Sequence, residues 1–79
     1  MEQRVGNLKA LKFRALAEQR VSNVLRTIRR IGKLSRRSSY EYTPEQISKI
    51  FEAMRRELDV AEHQFASEDK AQSALFKLD

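Results

Sequence analysis

The stretch Tyr42-Thr43-Pro44-Glu45-Gln46-Ile47 decides the fold. Thr43 and Gln46 have the spacing of a capping box. The threonine hydroxyl can accept the Gln46 amide proton, and the glutamine side chain can reach back to the Thr43 amide. Pro44 suits the first helical position, because its missing N–H has no partner there anyway. Tyr42 and Ile47 bracket the cap as a hydrophobic staple, and Glu45 complements the positive end of the helix dipole. Downstream, Ile47, Ile50, Phe51, Met54, Leu58, Ala61 and Phe65 recur at spacings of three and four. This pattern predicts one buried apolar face on a helix over residues 43–66. Glu45–Lys49, Glu52–Arg56 and Arg55–Asp59 are opposite charges four residues apart on its outer sides.

Upstream of the cap, Ser35-Arg36-Arg37-Ser38-Ser39 reads as a loop, which we place over residues 35–42. Before it, a helical pattern covers residues 7–34 and weakens at Gly32, with residues 1–6 as a frayed lead-in. At about 100° per residue, Ala10, Phe13, Ala17, Val21, Val24, Ile28 and Ile31 fall within a stripe about 80° wide. Leu16 and Leu25 widen that stripe. After Phe65, Ser67 can cap a short third helix over residues 68–78, with Ala71, Leu75 and Leu78 along one side. Uninterrupted continuation of the second helix is the alternative.

The expected fold is therefore all-α, a single domain over residues 1–79. Two long amphipathic helices form an antiparallel hairpin, followed by a short C-terminal helix. Seventy-nine residues rarely build a sufficient core alone, so the stripes need a cover. The expected cover is a second copy, giving a four-helix-bundle dimer. That arrangement is similar in architecture to the small plasmid RNA-binding bundles built from two helical hairpins. The similarity is of architecture only, and no residue role follows from it.

Charge separates the two halves. Residues 1–37 carry eleven basic and two acidic side chains, a balance of +9, whereas residues 38–79 carry −4, for a net +5. No Asp or Glu occurs between Gln19 and Tyr40. Within that interval Arg26, Arg29, Arg30, Lys33 and Arg37 lie about 120–180° from the centre of the apolar stripe, and Lys12 points the same way. Arg36 and Arg37 extend the strip into the loop, where Tyr40 offers a ring for stacking. A solvated helix surface ordinarily mixes signs, so a single-sign strip points to an anionic partner. The expected function is binding of RNA or DNA by shape, through phosphate contacts from Arg26, Arg29, Arg30, Lys33, Arg36 and Arg37 with Tyr40 beside them. The alternative is a small interaction protein, a subunit, adaptor or inhibitor of the kind mobile elements encode. It would dock onto a larger nucleoprotein complex.

Other chemistry finds little support in this composition. The chain has no cysteine and one histidine, so thiolate metal sites, disulfides and Cys- or His-based catalysis are not expected. His63 has no second His or Cys to join it as a ligand. We expect no enzyme activity, no cofactor and no metal. Arg14 and Arg20 flank the first stripe and can snorkel at its edge or pair with Glu57 and Glu62. The run Arg36-Arg37-Ser38-Ser39 also resembles a basic kinase substrate, a pattern short enough to arise by chance. No apolar run approaches the roughly 18 residues of a membrane span, and no signal-peptide pattern opens the sequence. We expect a soluble, cytoplasmic protein that does not bind membranes.

Overall fold

The structure, a computed structural model, describes the backbone of residues 2–76 and the side-chain surroundings of residues 7–70. It is all-α. Helix α1 runs Glu2–Gly32, a single 3-10 turn follows at Lys33–Ser35, and helix α2 runs Pro44–Phe76. The chain divides into two units, Met1–Glu41 and Tyr42–Asp79, each built on one long helix.

Helix α1 spans 31 residues, about 46 Å of axial rise. It begins five residues earlier than the hydrophobic pattern suggests. Gly6 costs only about 1 kcal/mol relative to alanine, and Glu2, Gln3 and Arg4 are good helix formers, so nothing in the lead-in stops the ladder. At the other end the α-helix does stop at Gly32, whose dihedrals (φ −59°, ψ −30°) are still helical. The tighter 3-10 turn carries the chain on to Arg36, which is extended at φ −71° and ψ 107°. There the Arg36 carbonyl accepts two bonds, from the Ser39 amide at 3.1 Å and the Tyr40 amide at 2.9 Å. These two bonds close a turn within the segment read as a loop.

Helix α2 opens as its sequence dictates. The Thr43 amide donates to Gln46 Oε1 at 2.9 Å, and the Gln46 amide donates to Thr43 Oγ1 at 3.1 Å. The Ile47 amide reaches the Thr43 carbonyl at 3.1 Å, so Thr43 is the N-cap. Tyr42 and Ile47, the two ends of the staple, are both half-buried. Thr43→Ala removes the hydroxyl that satisfies the Gln46 amide. We predict a loss of about 1 kcal/mol, seen as a lowered melting temperature by circular dichroism.

The separate third helix is a correction. Helix α2 is continuous for 33 residues and passes through Ser67 without a break. Ser67, Glu68 and Asp69 form an acceptable helix start only where the preceding chain leaves the helix. His63-Gln64-Phe65-Ala66 contains no Gly or Pro to force that. Continuing the i→i−4 ladder keeps every backbone bond. Leu78, the last residue expected on that element, lies outside the described residues, as do the side-chain surroundings of Ala71 and Leu75.

Among the described residues none is buried. Leu16, Ala17, Ser22 and Ile31 on α1, and Ile47, Phe51 and Met54 on α2, are half-buried. The remaining large members of the two stripes are open to water, up to Phe13 at 59% and Leu58 at 68% exposure. The expectation of a buried face thus holds only in part for this chain by itself. The apolar periodicity is there, but its burial is incomplete. Arg55 lies over the Phe51 ring, 6.0 Å from its centroid, and covers part of that side chain. No helix of the described residues is long and apolar enough to cross a membrane.

Candidate nucleic-acid interface

The last three turns of α1 carry Arg26, Arg29 and Arg30, the 3-10 turn carries Lys33, and the closed turn carries Arg36, Arg37 and Tyr40. All seven are exposed, Tyr40 at 50%. The 100° rotation places Arg29, Lys33, Arg26 and Arg30 across a sector about 100° wide. That sector is centred about 170° from the apolar stripe, so whatever covers the stripe leaves the basic face open. The helix accounts for Arg29 and Arg30 in another way too. Cations in a last turn complement the negative end of the dipole, by about 0.3–1 kcal/mol each. That effect does not reach back to Arg26 or on to Arg36 and Arg37.

Sequence reasoning missed two features of this face. The first is Asn23. Arg26 Nη2 donates to Asn23 Oδ1, and the Asn23 carbonyl accepts the Thr27 hydroxyl at 2.9 Å. Asn23 therefore holds the Arg26 side chain along the helix surface. The signal was an amide three residues before an arginine, which is common enough to pass unnoticed. The second is the N-terminal end of the same face. Leu8, Leu11 and Ala15 occupy the angular sector of the arginines, and Leu8 and Leu11 are 61% and 56% exposed. The strip is thus mainly apolar near its start, where Lys12 is its one cation, and densely basic in the last three turns of α1.

The chain matches no protein-family model, no curated protein and no solved structure.

Elsewhere the chemistry is sparse. His63 Nδ1 donates to the Asp59 carbonyl at 2.9 Å, an i→i−4 bond that accounts for one ring nitrogen. Among the described residues no three His, Cys, Asp or Glu side chains converge as a metal-binding group. An open groove runs along the face of α2 opposite its apolar stripe, lined in part by Arg56, Asp59, His63 and Glu68. Its charges are of both signs, and it contains none of the seven candidate residues.

Proposed function

We propose that the protein is a small nucleic-acid-binding module that grips phosphates with the C-terminal end of α1 and the turn beyond it. One observation carries this reading. Six exposed cations, Arg26, Arg29, Arg30, Lys33, Arg36 and Arg37, share an interval of the chain without a single carboxylate. Each Lys or Arg that neutralises a phosphate releases condensed counterions, and this is the main source of affinity for such a surface. Tyr40 beside the turn supplies a stacking ring. Binding, not catalysis, is the activity, and the cytoplasm its setting.

The working form we propose is a single domain that pairs its two stripes as a hairpin and then dimerises. The exposed parts of both stripes favour it, as does the charge difference between the two units. A basic helix and an acidic helix suit each other's flanks, and two copies present that match twice. The same exposed apolar residues favour the second reading, a subunit or inhibitor docking onto a nucleoprotein complex. The experiment that tests the principal reading replaces Arg29, Arg30 and Lys33 by glutamate and measures binding and helicity together.

A further inference from the structure

We infer that Ser39 is a phosphorylation site for an arginine-directed serine/threonine kinase, and that its phosphate weakens the grip of the basic strip on nucleic acid. The second half of this inference rests on the nucleic-acid reading above and names a regulation of that same site. Arg36 and Arg37 stand three and two residues before Ser39, and Tyr40 follows it. Kinases select substrates by charge pattern, and two arginines so placed can both meet carboxylates in an acidic cleft while the tyrosine ring fills an apolar site. Ser38 has arginine at neither of those two positions together, and no other Ser or Thr of the chain has arginine at both. So short a run gains meaning from its place in the fold. A kinase cleft takes its substrate as an extended segment, and a helical hydroxyl is reached only by unwinding a cooperative ladder. Among the described residues, Ser38, Ser39 and Thr43 are the only Ser or Thr outside the helices and the 3-10 turn. The Thr43 hydroxyl accepts the Gln46 amide as the cap of α2, and Glu41 stands two residues before it. Residues 36–41 are all exposed, and none belongs to either apolar stripe. Arg36 is already extended, and two backbone bonds to its carbonyl, from the Ser39 and Tyr40 amides, close the turn. Opening them lays residues 36–41 out without disturbing α1 or the cap of α2.

In the transfer, Ser39 Oγ bonds to the γ-phosphorus of a nucleoside triphosphate held by the kinase. The bond from that phosphorus to the β,γ-bridging oxygen breaks, the nucleoside diphosphate leaves, and the hydroxyl proton passes to the kinase's catalytic carboxylate. The product carries about −1.5 to −2 charges at neutral pH, inside an interval of the chain that otherwise holds no carboxylate. Guanidinium forks pair with phosphate in a bidentate way, so Arg36 and Arg37 would turn from the nucleic acid to the phosphate beside them.

The test incubates the full chain with a purified arginine-directed kinase, magnesium and ATP, and reads intact mass and the modified position by mass spectrometry. One phosphoryl group should enter at Ser39. Ser39→Ala should abolish incorporation and Ser38→Ala should leave it, while Arg36→Ala should slow it at least about tenfold. The phosphorylated and parent chains are then compared by anisotropy on a labelled DNA duplex and a labelled stem-loop RNA, with helicity checked by circular dichroism. Two arginines withdrawn should flatten the salt slope by about 2 and weaken binding near 0.1 M salt by roughly fiftyfold, at unchanged helicity. No incorporation into the folded chain, or incorporation at Ser38, overturns the site. Full phosphorylation of Ser39 with binding unchanged overturns the regulation and leaves the phosphate-contact reading standing. A parent chain that binds neither ligand at low salt overturns that reading and the regulation with it, and the mass spectrum still decides the site.

Discussion

Glutamate at positions 29, 30 and 33 together is expected to reduce nucleic-acid binding by at least several hundredfold near 0.1 M salt. Each lost phosphate contact removes about 0.9 from the salt slope. Three contacts are then worth about 2.7 logarithmic units between 0.1 M and the roughly 1 M at which counterion release no longer contributes. Reversal goes further than neutralisation, because it moves the net charge of the chain from +5 to −1 and sets carboxylates against phosphates. The fold should survive. All three side chains are exposed, and glutamate is nearly as good a helix former as lysine or arginine. Some stability is lost at the end of α1, where negative charge opposes the dipole, but helicity should stay near that of the parent chain. Circular dichroism and anisotropy on the same samples decide it. Retained binding with retained helicity would sink the phosphate-contact reading.

The second large effect concerns the apolar stripe. Ile28→Glu places a carboxylate on the α1 stripe, at a residue 42% exposed within the chain. If two copies cover each other's stripes, that carboxylate is buried in every protomer. It then costs several kcal/mol through desolvation and lost packing. A chain of this size has about 4–12 kcal/mol of stability in all. We predict that the mass by light scattering falls from about twice 9.3 kDa to 9.3 kDa, and that the helical signal falls with it. Arg30→Glu, on the opposite face, should change neither. An Ile28→Glu protein with unchanged mass and melting temperature would mean that the stripe is not covered by a second copy.

Features set by short-range chemistry were the most legible in the sequence. The box at Thr43 and Gln46 needs only four consecutive residues, and both of its bonds form where their spacing put them. Gly32 marked the end of α1 correctly, because a residue of poor helix propensity sits just before a polar loop. Ser67 misled. A good capping residue caps only when the chain before it turns away, and no residue from 63 to 66 makes it turn. The start of α1 was missed for the converse reason, as the apolar pattern fades before the backbone ladder does.

At the candidate site, the placement of Arg26, Arg29, Arg30 and Lys33 on one face follows from the helical repeat alone. Their exposure does not set them apart, because most of the stripe on the other side is open to water as well. What the repeat did not reveal was Asn23 under Arg26, a bond that depends on a side-chain rotamer. The apolar start of the same face was legible in principle. Leu8 and Leu11 have the same angular positions as Arg26 and Arg29.

The most direct measurement is a salt series on the parent chain with a labelled DNA duplex and a labelled stem-loop RNA. With roughly five phosphates engaged, the logarithm of the affinity should fall against the logarithm of salt with a slope of about −4 to −5 for the better ligand. Absence of binding to either at low salt, or a slope near zero, would contradict the account and turn the basic strip of α1 into a device for pairing with protein.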